Sequence, residues 1–215
     1  MKVNEIFTSI DGEGLTAGEL ATFIRFTGCN LRCEWCDTKY SFDNGIEMPI
    51  DEILTCVPEN VPNVTLTGGE PLLQGDIDKL ISELLNRGHR VNIETNGAVY
   101  IGNIVRIEEV LITMDYKLPS SKMESKMIIE NIGGLKPTDV LKFVVGSDED
   151  LARMKEVIQQ EQPKCYIYIS SVFSKIEPAH IIEWMKHNAD FLKPYKVRFQ
   201  LQLHKFIWNP NKRGV

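Results

Sequence analysis

Three cysteines within eight residues are the densest concentration of reactive groups in the chain. The segment Gly28-Cys29-Asn30-Leu31-Arg32-Cys33-Glu34-Trp35-Cys36-Asp37-Thr38 spaces them as CxxxCxxC. Thiolates are soft metal ligands, and three so close in sequence can wrap three corners of one metal centre. An iron–sulfur cubane normally takes four thiolates. Held by three, it keeps one iron open to an outside ligand, as catalytic metal sites keep a position free. Two other chemistries compete. Structural zinc wants four protein ligands, and His89 or His204 would have to supply the last. A redox-active CxxC pair uses only two of the three cysteines. The cluster reading accounts for all of them. Cys56, in an apolar helix pattern, and Cys165, at the start of an apolar strand, are expected in the core, where free cysteine packs as a small hydrophobe.

The cysteine segment directly follows the apolar run Ala21–Phe26, so it is expected in a loop at a strand's carboxyl end. Further strands are expected at Asn63–Thr67, Val91–Thr95, Glu109–Asp115, Val140–Val145, Tyr166–Ser170 and Lys196–Leu201. Between them lie helical patterns, the clearest from Leu72 to Asn86, stopped by Gly88. A second covers Asp148–Gln160, with acidic residues in its first turn as the helix dipole prefers. A third covers Pro178–His187. Strands alternating with helices predict parallel strands joined by crossovers. Six or seven such strands are too few for a closed eight-stranded barrel, so the expected fold class is α/β, an open partial barrel with function at the strands' carboxyl ends. Lys39–Pro49 and Pro119–Pro137 read as loops, lids or insertions on one domain spanning residues 1–215.

Composition narrows the function. With 215 residues, 43% hydrophobic and 25% charged, the chain fits one globular domain. No apolar run is long enough to span a bilayer, and Met1 opens a polar stretch, so a cytoplasmic location is expected. A net charge of -6 argues against a nucleic-acid surface. A small-molecule substrate fits better, with room for a local basic pocket that holds an anion.

CxxxCxxC resembles the signature of the radical S-adenosylmethionine superfamily, and Thr67-Gly68-Gly69-Glu70-Pro71 resembles its GGE motif. Glycines let backbone approach a ligand closely, and a carboxylate suits an ammonium. That resemblance implies a 4Fe–4S cluster on Cys29, Cys33 and Cys36, S-adenosylmethionine on the open iron, and a (β/α)6-type open barrel with truncated or missing helices. Within the superfamily the chain is similar to the 7-carboxy-7-deazaguanine synthase family. The similar segments are Phe7-Thr8-Ser9-Ile10-Asp11-Gly12-Glu13-Gly14, Phe23-Ile24-Arg25, Trp35-Cys36-Asp37-Thr38, Glu94-Thr95-Asn96-Gly97, Asp115-Tyr116-Lys117-Leu118-Pro119-Ser120-Ser121 and Gln202-Leu203-His204-Lys205-Phe206-Ile207-Trp208.

The family resemblance implies ring contraction of 6-carboxy-5,6,7,8-tetrahydropterin to 7-carboxy-7-deazaguanine with release of ammonia, in queuosine biosynthesis. It also implies a magnesium ion, an external flavodoxin- or ferredoxin-like electron donor and a homodimer. By position, Ile10, Asp11, Gly12 and Glu13 line the pterin side and Arg25 pairs with the substrate carboxylate; the alternatives for Arg25 are a solvent-facing side chain or an ion pair with Glu13. Thr67 and His204 stand on the substrate side, although a histidine after alternating apolar residues also fits the core. Thr38 serves magnesium or simply caps its loop. Trp35, Cys36, Asp37, Gly69, Glu70, Glu94, Asp115, Lys117 and Ser171 fall on the cofactor side, where Asp115 and Lys117 fit a structural ion pair equally well and Trp35 fits ordinary packing. The chain departs from the family in continuing past Pro210, where some members end, and in carrying Asp115. A glycyl-radical activating enzyme and a zinc-stabilised binding module are the competing functions.

Overall fold

The computed structural model describes residues 1–215. Nine strands form one sheet: β1 Lys2–Ile10, β2 Leu20–Phe26, β3 Ile46–Glu47, β4 Asn63–Gly68, β5 Arg90–Thr95, β6 Val110–Tyr116, β7 Val140–Val145, β8 Tyr166–Ser171 and β9 Lys196–Phe199. The spatial order is β3-β1-β2-β4-β5-β6-β7-β8-β9. From β2 onward all the neighbours are parallel, whereas β1 is antiparallel to both β2 and β3. The sheet therefore matches the open α/β barrel expected, with an antiparallel flap added at one end.

Helices are α1 Ile50–Thr55, α2 Ile77–Asn86, α3 Glu130–Gly134, α4 Asp148–Glu161, α5 Pro178–His187, α6 Ala189–Leu192 and α7 His204–Ile207. The crossover from β5 to β6 carries no helix and that from β6 to β7 only the short α3 after two single 3-10 turns, Pro119–Ser121 and Glu124–Lys126, so the helical layer is truncated. The helix expected from Leu72 is broken. Pro71–Leu73 forms a single tight turn, Gly75 and Asp76 interrupt it, and α2 starts at Ile77. Gly88 follows α2 with φ of +83°, the left-handed conformation that glycine supplies beyond a helix end.

Side chains alternate along every parallel strand, and that alternation builds the site. Ile24, Leu66, Ile93, Ile112, Leu141 and Ile167 face the helices and join a core of 34 buried residues, with Leu80, Leu84, Leu151, Met154 and Ile158 packed onto them. Their neighbours along the strands, Arg25, Thr67, Glu94, Asp115 and Lys142, face the opposite, concave side and line a cavity of about 830 Å³. β7 shows why such a strand looks uniformly apolar in sequence. All six of its residues are buried, yet Lys142 turns to the cavity while Leu141 and Phe143 turn to the helices.

β1 was not anticipated. Its residues Asn4, Glu5, Thr8 and Ser9 dilute the apolar signal, because an antiparallel edge needs burial on one face only. β9 ends at Phe199, and Val197, Phe199, Leu201 and Leu203 are half-buried rather than core. Cys165 is buried as expected; Cys56 is not. It is exposed at the carboxyl end of α1, whose buried face is carried by Ile53 and Leu54 alone. No helix is long and apolar enough to cross a membrane.

Candidate active site

The cysteine loop leaves β2 at the carboxyl end of the sheet and is pinned by backbone bonds. Gly28 N donates to Ser41 O at 2.9 Å, Glu70 N to Gly28 O at 2.8 Å, and Glu34 N to Ser121 O at 3.1 Å. The glycine pair after β4 makes this approach possible. A β-carbon on Gly69 would stand 1.9 Å from Gly28 O, and Gly68 holds φ at +130° with Phe26 O only 2.3 Å from where its β-carbon would be. No side chain fits at either position.

Cys29, Cys33 and Cys36 are all half-buried and line the cavity together. Burial raises the Cys33 and Cys36 thiols above their ordinary range, so these sulfurs become thiolates where a cation compensates them. No three His, Cys, Asp or Glu side chains stand close enough to hold a single metal ion. His89, a candidate fourth zinc ligand, is buried against Val61 O at 3.0 Å and away from the cysteines. Three sulfur donors on one wall, beside backbone stripped of side chains, fit a polynuclear cluster with an exchangeable position.

The opposite wall is charged. Arg25 lies between the rings of Phe7 and Tyr40, 5.8 and 5.9 Å from their centroids. Its ion pair is with Glu5, Nε to Oε1 at 2.7 Å, not with Glu13, because β1 places Glu5 opposite Arg25. Glu13 is instead bonded to Lys142. Lys142 also stands 3.6 Å from Asp115 Oδ1, and Lys117 reaches Asp115 Oδ2 at 2.8 Å. Asp115 and Lys142 are direct cross-strand partners. Glu13 Oε1 and Asp115 Oδ1 are both buried and accept no hydrogen bond from the protein.

Lys142 is the cavity-lining cation that the apolar pattern of its strand conceals. Its signal was a lone charge inside Val140–Val145, and a cation in an otherwise apolar parallel strand needs buried partners. Around it, burial pushes the Glu94 carboxyl up to about 7, opposed by Lys142, while Thr67 Oγ1 donates to Glu94 Oε2 at 2.8 Å. His204 is lowered by burial, against the pull of Glu13 and Asp37. It closes on Gly12 so tightly that a β-carbon there would lie 2.9 Å from its Nδ1.

Of the residues expected here, Ile10, Gly12, Glu13, Arg25, Trp35, Asp37, Thr38, Thr67, Gly69, Glu94, Asp115, Lys117 and His204 line this one cavity. Three do not. Asp11 is fully buried and takes hydrogen bonds from Thr16 at 2.6 Å and Thr65 at 3.1 Å; burial raises its carboxyl to about 6. Glu70 is likewise fully buried, its carboxylate accepting from Leu72 N, Thr95 Oγ1 and Asn96 N, so its side chain ties β4 to β5. Ser171 lines a smaller neighbouring cavity of about 280 Å³, whose wall shares Phe173 and Gln202 with the first. Thr38 donates to Asp37 Oδ1 at 2.9 Å. Partial burial would raise Asp37, but the Lys205 ammonium, 2.8 Å away, holds it down at about 2. The segment from Pro210 to Val215 also lines the cavity, with Arg213 3.9 Å from the Tyr40 ring centroid.

The model of the Radical SAM superfamily matches residues 23–111, the stretch that carries the cysteine loop and the glycine pair. A 7-carboxy-7-deazaguanine synthase of Clostridium acetobutylicum is 48% identical over 100% of this chain and 99% of its own. The chain belongs to the 7-carboxy-7-deazaguanine synthase family. A synthase of Thermoplasma acidophilum is 45% identical over 97% of both chains. Among solved structures, QueE from Escherichia coli superposes with a TM-score of 0.73 at 20% identity, covering 93% of each chain. Streptococcus suis SuiB bound to its precursor peptide SuiA gives 0.59 at 15% identity over 83% of this chain and 48% of that one. At such identities the two structures support the fold alone. Membership of the synthase family and of the wider superfamily brings with it the expectation of a 4Fe–4S cluster and S-adenosylmethionine, and the cysteine wall fits both.

Proposed function

We propose that this chain converts 6-carboxy-5,6,7,8-tetrahydropterin to 7-carboxy-7-deazaguanine with release of ammonia, in one cavity divided between a sulfur wall and a charged wall. The observation that carries the reading is the convergence of Cys29, Cys33 and Cys36 with Arg25, Glu13 and Lys142 on that cavity. Cys29, Cys33 and Cys36 would hold the cluster. With S-adenosylmethionine bound, that centre supplies one-electron cleavage chemistry able to remove a hydrogen atom from an unactivated carbon.

The chain's own residues bind and orient. Arg25 engages Glu5 through Nε alone, and a guanidinium fork has further donors for a planar carboxylate. The Glu13 oxygen that accepts no hydrogen bond suits a pterin N–H, and Asp115 Oδ1, which Lys142 faces at 3.6 Å without a hydrogen bond, suits a cofactor donor. With a carboxyl raised to about 7, Glu94 holds a proton through much of the neutral range. It can donate as well as accept toward a ribose hydroxyl while Thr67 fixes its other oxygen. His204, kept neutral by burial, orients ligand without adding charge. Thr38, with Asp37 beside it, is the proposed magnesium contact, since magnesium takes oxygen ligands and keeps several waters. Gly69 and Trp35 lie where the cofactor would sit. Ser171, in the side cavity, is assigned to the cofactor side through the wall of Phe173 and Gln202 that the two cavities share.

The reading extends to one domain over residues 1–215, supported by one sheet and one core. It also includes a homodimer, an external flavodoxin- or ferredoxin-like reductant and a cytoplasmic setting. Anaerobic reconstitution with iron and sulfide, then incubation with substrate, S-adenosylmethionine and a reductant, tests it. Formation of 7-carboxy-7-deazaguanine with one ammonia per turnover is expected. A fully loaded cluster that responds spectrally to S-adenosylmethionine and yields no deazaguanine would overturn the substrate assignment.

A further inference from the structure

The cluster loop is held from outside its own sequence by a short chain of hydrogen bonds. Trp35, between Cys33 and Cys36, donates from its indole Nε1 to Ser120 Oγ at 3.2 Å. Ser120 donates from Oγ to Asp150 Oδ2 at 2.5 Å, and from its backbone N to Asp150 Oδ1 at 2.9 Å. Gly146 N donates to Asp150 Oδ2 at 2.7 Å. Asp150 is wholly buried in the first turn of α4, where the helix dipole and three donors replace the water it has lost. Capping of α4 does not depend on it: the Ser147 hydroxyl already accepts from Asp150 N at 3.2 Å.

Two packing details make the arrangement directional. A hydroxyl has one proton, and Ser120 gives it to Asp150, so the indole N–H meets a lone pair. At Gly146 a β-carbon would lie 2.8 Å from Ser120 Oγ, so glycine leaves the room in which Ser120 turns toward Asp150. The turn Pro119–Ser121 is thus gripped by Asp150 on one side while on the other it accepts Glu34 N at Ser121 O.

We propose that Asp150 is a positioning residue for the cluster-binding loop, acting through Ser120 on Trp35. It touches none of the three sulfurs. By fixing the Ser120 hydroxyl as an acceptor, it sets the stretch between Cys33 and Cys36, and so the separation of two of the sulfurs. The idea rests on those cysteines being the cluster ligands, but its test does not. Amide hydrogen exchange across residues 33–36 is read in the full-length protein, before and after cluster assembly. The variants are Ser120→Ala, Trp35→Phe, the double variant and Asp150→Asn.

Each single change at 35 or 120 should speed exchange in that stretch about fivefold, the worth of one hydrogen bond. The double variant should go no further than either. Asp150→Asn should do at least as much there, and after assembly all of these variants should lose iron to a chelator faster than the unaltered protein. Additive effects in the double variant, or exchange that changes in α4 but not at residues 33–36, would overturn the proposal. Should Asp150→Asn fail to fold, the Ser120 and Trp35 pair decides alone. An unaltered protein that takes up no cluster would strike at the ligand assignment, while the exchange coupling is still read in the cluster-free chain.

Discussion

The two walls of the cavity are built on different principles. The sulfur wall comes from one short segment, residues 29–36, seated by backbone hydrogen bonds and by glycines that remove steric bulk. The charged wall is assembled from residues far apart in sequence: register pairs Arg25 with Glu5 and Asp115 with Lys142, and Glu13, from the loop after β1, reaches Lys142. A wall made by local spacing fails outright when one ligand is lost and only loosens when a distant support such as Asp150 is changed. A wall made by register shares its charge among several strands, so removing one member leaves the others uncompensated.

The sharpest way to break that comparison is on the sulfur side. Cys33→Ala should abolish cluster assembly, whereas the exposed Cys56→Ala should leave iron and sulfide content unchanged; loss of the chromophore in the Cys56 variant would show the ligand set to be wrong. On the charged side, Lys142→Met strands the largely buried Glu13 carboxylate without its cation and leaves Asp115 with Lys117 alone. Denaturant unfolding should show a loss of about 3 kcal/mol, and adding Glu13→Gln should recover part of it. No recovery would mean that Lys142 acts through packing, not charge. Arg25→Lys keeps the charge but loses the fork, so KM for the pterin should rise roughly tenfold with kcat less affected. An unchanged KM would remove Arg25 from the substrate site.

The smallest effect concerns pH. Burial raises the Glu94 carboxyl from its ordinary range to about 7, so the folded state favours its proton. Its contribution to stability is complete below the unfolded value and fades as pH climbs to about 7. Glu94→Gln should flatten that part of the stability profile, with Asp11 and Glu70, raised to about 6 and about 7, supplying the slope that remains. An identical profile in the variant would place the titration elsewhere.

The contrast also explains what the sequence made legible. CxxxCxxC after an apolar strand located the sulfur wall because both spacing and strand end are local features. The parallel strands, α4 and α5 were readable from periodicity and caps, with ends shifted by a residue or two. The charged wall resisted. Arg25 pairs with Glu5 and not Glu13 because β1 folds back antiparallel, and β1 is too polar to announce itself as a strand. Glu70 and Asp11 carry motif positions, yet their side chains are consumed by internal hydrogen bonds that no spacing rule encodes. Cys56 looked apolar by neighbourhood, but helix α1 turns only Ile53 and Leu54 inward.

The meeting of Gly12 and Gly14 with residues 200–204 bears on biogenesis. Leu203 N donates to Gly12 O at 3.1 Å, and the Gln200 amide bonds both the N and the O of Gly14. One rim of the chamber therefore waits for a partner almost two hundred residues later in synthesis. On the ribosome the chamber stays unsealed until that late stretch has emerged, and metal delivered earlier would meet thiols still open to oxygen and to competing ions.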